Sequence, residues 1–232
     1  MKKLFTALIC ATMFIGLGAC SSKGKAGDDN PKPEEKKLVE DKKTIEIVDS
    51  GYYVTQGDEP YIEYGIIIKN PNDNYGIEYP SFTITMYDKE GKILGNDEQV
   101  LMYIGPGETL AYGGQANPNG KKPDKVEFKM KKDENKYSEA TKQGSSFKII
   151  NTNDMKDEYG GLACTGEIEN ISDTDYDSVA ISLLLYKGDK IVYGTTTYVD
   201  TVNAKSKTPF EVSSLGSEVP EYDKYKIYAQ QW

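Results

Sequence analysis

A chain of 232 residues is long enough for one large domain or two small ones, and its 22 glycines and 18 tyrosines lean toward β structure, because aromatic side chains suit a pleated, half-buried surface. A formal net charge of −9 repels phosphate backbones and argues against nucleic acid as a partner. Neither histidine nor arginine occurs, so there is no Ser-His-Asp or Cys-His pair, no imidazole metal ligand and no bidentate clamp for phosphate or carboxylate.

The chain opens with "MKKLFTALICATMFIGLGAC". Lys2 and Lys3 precede an apolar run that ends near Leu17, too short for a comfortable transmembrane helix and typical of a signal-peptide core. Leu17, Gly18, Ala19 and Cys20 then follow in the order that resembles the lipobox of bacterial lipoproteins. The resemblance implies cleavage after Ala19, a diacylglyceryl thioether on Cys20, and a lipid anchor at the extracytoplasmic face of the cell membrane. An ordinary secretory signal ending beside a chance cysteine is the competing reading. Two acyl chains suffice for stable anchoring, where one would be marginal.

Residues 1–19 are thus expected to be the signal peptide and 20–43 a lipid-anchored tether. The tether, "SSKGKAGDDNPKPEEKKLVEDKK" after Cys20, is charged, carries Pro31 and Pro33, and has too few apolar residues to order itself. On that expectation Cys10 would leave with the signal and Cys20 would be lipidated, which leaves Cys164 without a disulfide partner. It shares a strand face with Gly166 and Ile168 and reads as a small buried hydrophobe rather than a reactive thiol.

Beyond the tether the sequence repeats itself at a period of about 100 residues. "YGIIIKNPNDNYGIEYPSFTITMYDKEGKIL" matches "CTGEIENISDTDYDSVAISLLLYKGDKIV", with Asn70 against Asn170 and Tyr87 against Tyr186. Further on "DKVEFKM" matches "DKYKIYA". A repeat this long means two domains, because solenoid units are shorter. Within each copy the period is two. Phe82, Ile84 and Met86 form one face, opposite Ser81, Thr83, Thr85 and Tyr87. Val179, Ile181, Leu183 and Leu185 form the matching apolar row. That alternation predicts strands with one face on a core. "DKEGK" and "KGDK" read as hairpin turns in which glycine supplies the positive φ. Short strands then follow at "QVLMYI" and "TLAYGG", and at "TTYVDTV" and "TPFEVSS". The expected fold class is all-β: two tandem antiparallel immunoglobulin-like β-sandwich domains over 44–131 and 146–232, joined by a polar linker over 132–145.

The run "ITMYDKEGKIL", and more loosely "LLLYKGDKIV", resembles the FxLYD domain, a small immunoglobulin-like β module of bacterial surface lipoproteins. Asn70, Met86, Tyr87, Asp88, Gly91, Pro106 and Gly107 follow its pattern in the first copy, with Ile84 in place of the Phe. The second copy keeps Asn170, Leu185 and Tyr186, has Lys187 in place of the Asp, and has Asn203-Ala204 where the Pro-Gly turn would be. The resemblance implies a fold and a location, and it brings no catalytic residues.

The function this predicts is a non-catalytic cell-surface lipoprotein that presents its modules to an envelope protein or a cell-wall polymer. The alternative is capture of a sugar or peptide by a platform of Tyr52, Tyr53, Tyr61 and Tyr64, against which stands ordinary strand tyrosine. No cofactor and no metal are expected. Asp173, Asp175 and Asp177 alternate as in the opening of an EF-hand loop, but Ser178 stands where the loop needs glycine and Leu184 where it needs a bidentate glutamate. A looser calcium site at residues 173–177 stays open. The same place in the first copy holds "PNDNYGIEYP", so the shared property is turn-forming chemistry.

Overall fold

The computed structural model describes residues 42–232 apart from 157, 159 and 216. The expected signal peptide, the lipobox with Cys20, and the tether up to residue 41 lie outside the described residues. In chain order the strands are β1 (Glu46–Val54), β2 (Ile62–Lys69), β3 (Tyr75–Glu78), β4 (Ser81–Tyr87), β5 (Ile93–Val100), β6 (Tyr103–Ile104), β7 (Thr109–Ala116), β8 (Lys125–Met130), β9 (Tyr137–Glu139), β10 (Phe147–Lys156), β11 (Leu162–Asn170), β12 (Tyr176–Lys187), β13 (Lys190–Val202), β14 (Lys207–Ser213) and β15 (Lys224–Gln231). The only other regular element among the described residues is a 3-10 turn, Glu134–Lys136, capped by the Asp133 side chain on Asn135 N–H. The fold is all-β and antiparallel throughout.

The first half holds the sheets β1-β2-β7 and β5-β4-β8. They share a core in which Ile62, Tyr64, Ile66 and Ile68 of β2 meet Phe82, Ile84 and Met86 of β4. The alternation read along β4 is therefore the one that forms. The second half repeats the plan with β10-β11-β14 and β13-β12-β15. Cys164 and Ile168 there meet Val179, Ile181, Leu183 and Leu185. A third small sheet, β6-β3-β9, borders the first half. Its strand β9 lies inside the stretch expected to be a polar linker and pairs with β3 through Tyr137 and Ile77. "QVLMYI" forms two strands, not one. Leu101 is fully buried and its N–H bonds Pro80 O, while Met102 O takes Tyr79 N–H, so β5 ends before them and β6 follows.

The two halves meet along a seam. β12 is buried on both faces from Val179 to Tyr186, and β2 from Ile62 to Ile66. The faces turned away from the two cores, with Ile67 and Ala111 on one side and Leu184, Tyr186 and Ile191 on the other, form a third apolar cluster. Glycine lets the sheets come this close. A Cβ on Gly113 would lie 2.1 Å from Thr195 N, and one on Gly194 would lie 2.7 Å from Gly65 Cα. Both contacts are with backbone, which has nowhere to move. Thr196 Oγ1 accepts from Gly113 N–H at 3.0 Å, and Gln230 Nε2 donates to Ala111 O at 2.8 Å. Trp232, the only tryptophan, stacks on Tyr112 at 5.8 Å between ring centres and packs at a tilt on Tyr198. The described residues belong to one compact unit.

Candidate functional site

Asn70 directly follows β2, Asn170 is the last residue of β11, and both are fully buried. The Asn70 amide donates to Tyr75 O, Ile104 O and Gly105 O, and its Oδ1 accepts from the Asn72 N–H and side-chain amide. The Asn170 amide donates to Thr174 O, Val202 O and Asn203 O, and its Oδ1 accepts from the Ser172 N–H and hydroxyl. Each asparagine thus ties the loop after its own strand to the turn that leads into the neighbouring strand of its sheet, β7 or β14. No hydrophobic side chain can do this, because a buried carbonyl without a donor costs about 1–3 kcal/mol.

The remaining motif residues also hold backbone. Asp88 closes the β4–β5 hairpin by accepting from Glu90 and Lys92 N–H, with Gly91 at φ 79°. Where Lys187 replaces that aspartate, Asp223 reaches over from the start of β15 and accepts from Gly188 N–H at 2.7 Å. Tyr87 donates to Glu127, and the Tyr186 hydroxyl lies 3.2 Å from that of Tyr228. Met86 and Leu185 are core residues. The turn Gly105-Pro106-Gly107 recurs as Asn203-Ala204-Lys205. Asn70 N–H bonds Glu108 O, as Asn170 N–H bonds Ser206 O. Gly107 has φ 64° and Lys205 has φ 56°, so the second copy keeps the left-handed turn with a lysine in place of the glycine.

The acidic loop is occupied by the same scaffold. Asp175 accepts from Ala204 N–H at 2.7 Å, and Asp173 pairs with Lys205 at 3.2 Å. Among the described residues no group of three or more acids or cysteines is placed to hold a metal ion. Cys164 is buried and burial, with Asp154 nearby, pushes its thiol up to about 11, so it is protonated at neutral pH.

The four clustered tyrosines disperse. Tyr64 is 1% exposed and packs edge-on to Phe82. Tyr52 packs on the first core and Tyr53 on the second, while Tyr61 lies at the surface. Among the described residues one carboxyl group is buried in the seam. Glu63 is 5% exposed, accepts from Gln115 Nε2 at 2.6 Å, and has its pKa raised by burial against that hydrogen bond.

The concave site lies elsewhere. A cleft of about 630 Å³ opens between the Gly105–Thr109 turn of the first half, the connector around residues 140–146, and the end of β15. That volume is in the range of a ligand site. Tyr103, Phe147, Tyr176 and Tyr228 supply aromatic walls; Gln143, Gln230 and Gln231 supply amides. Glu108 is the one charged side chain in the lining, and its Oε2 accepts from Gly105 N–H at 2.7 Å. Sequence reading missed this site because it gathers residues from stretches far apart along the chain. Glycine inside strand patterns, at Gly65 and Gly113, signals close approach at the neighbouring seam and not the cleft itself. No family model matches the chain, and a search of curated proteins finds no match.

Proposed function

We propose that this protein is a non-catalytic, lipid-anchored binding protein of the extracytoplasmic cell surface. Two FxLYD-like, immunoglobulin-like modules, over 44–131 and 146–232 with 132–145 between them, would be carried on a tether from Cys20 and contact an envelope protein or cell-wall polymer. One observation carries the reading. The residues that the two copies share are spent on the scaffold, with Asn70 and Asn170 making the same set of contacts in each half. The same strand order in the paired sheets supports a duplicated sandwich. What is left for function is surface, and binding is the activity that surface alone supports.

The capture of a sugar or peptide is the second reading. The cleft favours it, through Tyr103, Tyr176 and Tyr228 rather than the tyrosines near residue 60. Crosslinking on living cells followed by mass spectrometry separates the two. One recurring envelope protein supports the first reading, glycan adducts alone support polymer or sugar capture, and no adduct above an unrelated lipoprotein control argues against both. The anchor has its own test. Cys20→Ala is expected to leave the precursor uncleaved or release the protein; normal processing and membrane retention would refute it.

A further inference from the structure

The two halves leave strands β7 and β15 at the edges of their sheets, and these edges come together beside the cleft. Register fixes which main-chain groups face outward. Asn70 N–H bonds Glu108 O, so the even-numbered residues of β7 bond β2 and Thr109, Ala111 and Gly113 turn theirs away. The contacts made by Ala111 O and Gly113 N–H agree: Gln230 and Thr196 of the second half cap them. β15 follows the same logic. Trp232 N–H bonds Ser178 O, so the even-numbered residues bond β12 and Ile227, Ala229 and Gln231 direct N–H and C=O away from it. Among the described residues β12 is the only strand that β15 pairs with. All five residues from Ile227 to Gln231 line the cleft, as they must if it runs along the strand's outer edge.

We infer that the cleft is a strand-addition site, in which an extended, uncharged peptide segment of a partner protein pairs with the outer edge of β15. An unpaired row of main-chain donors and acceptors is a template for another strand, and proteins that do not use such an edge protect it. This molecule protects the β7 edge with Gln230 and Thr196 and holds the β15 edge open in a concave site. The outward groups from Ile227 to Gln231 accommodate about five residues of guest strand at about 3.3 Å each. Alternate guest side chains would face Tyr103 or Tyr228. Glu108 is the one charged residue lining the cleft, and the Lys142 ammonium lies beside Gly107 at its edge, so the two charges offset and a neutral guest fits. The inference rests on the reading of this chain as a binding protein and is independent of the anchor.

The test is hydrogen exchange on the full chain in detergent, with and without an acetylated library of uncharged hexapeptides rich in Val, Thr and Tyr. Exchange at Ile227, Ala229 and Gln231 is expected to slow by about tenfold or more on binding. The same library with alternate amides N-methylated is expected to give no protection. Gly144→Phe provides a second check, because a Cβ at Gly144 meets open space and the new ring would block the cleft without strain in the fold. It should weaken binding by at least about tenfold at unchanged melting temperature. Three results would overturn the proposal: no protection by any pool, equal binding of the N-methylated library, or protection only by a neutral oligosaccharide. If the peptides fail while cell crosslinking still recovers a defined envelope protein, the binding reading stands and this site is wrong.

Discussion

β4 and β12 hold the same place in their halves, and they differ in one respect. β4 buries Phe82, Ile84 and Met86 and leaves Thr83 and Thr85 half-exposed. β12 buries both rows, with Ala180, Ser182 and Leu184 where β4 has its hydroxyls. The central strands of the other two sheets differ in the opposite sense. β11 alternates cleanly, with Thr165 and Glu167 outward, whereas β2 has Gly65 and Ile67 at the matching positions and buries its first five residues. The two halves therefore share one strand plan and differ in the outer face of one sheet in each. Small and apolar residues stand where the sheets touch, and polar ones at the matching positions that face out. The backbone plan is common to both halves while the side chains that hold it differ, as with Asp88 and Asp223 or Gly107 and Lys205.

The largest effects should come from the feature the halves share. Asn70→Ala and Asn170→Ala each remove three donated hydrogen bonds and orphan carbonyls in the interior. Each is expected to cost about 3 kcal/mol or more in urea unfolding. A loss under about 1 kcal/mol at either site would separate that half from the plan.

The seam comes next. Gly113→Val sets a branched side chain against the backbone of Gly194 and Thr195, at an expected cost of about 2–3 kcal/mol. Calorimetry is expected to resolve two transitions in this variant and a single one in the parent chain. Thr165→Val, at an outward position of β11, should leave the single transition intact.

Glu63 gives the seam a pH dependence. Burial raises its folded pKa above the unfolded value, so the folded state holds the proton more tightly. Its favourable contribution is complete below the ordinary carboxyl pKa and disappears as pH rises through the raised value. Glu63→Gln keeps an acceptor for Gln115 and should stabilise the protein at neutral pH, flattening the decline. No gain at pH 7 would place the carboxylate in water.

The smallest effects concern the exchanged turn. Lys205→Gly should stabilise by up to about 1 kcal/mol, and Gly107→Lys should destabilise by a similar amount, both read from thermal melts. Equal and opposite shifts would mean that the two turns are interchangeable.

How much of this was legible depended on range. The period-two rows around Phe82 and Val179, the glycine hairpins and the pairing of Asn70 with Asn170 are local or self-similar, and a single chain displays them. The three carbonyls that each asparagine binds were not visible, because they come partly from loops about 30 residues away. Continuous burial of β12 was half visible: "AISLLLY" is too apolar for a strand with a wet face, as a strand between two layers is. The cleft was not visible, because Tyr103, Tyr176 and Tyr228 converge only after the seam has closed.

The central claim is that the cleft beside the seam is where this protein meets its partner. A photo-crosslinking amino acid placed at Gly144, in living cells, tests it most directly against the same probe at surface-exposed Tyr61. The account predicts a defined protein adduct from position 144 that is lost when Ala229→Pro removes an outward N–H, and none from position 61. An adduct from position 61 with none from position 144 would contradict it.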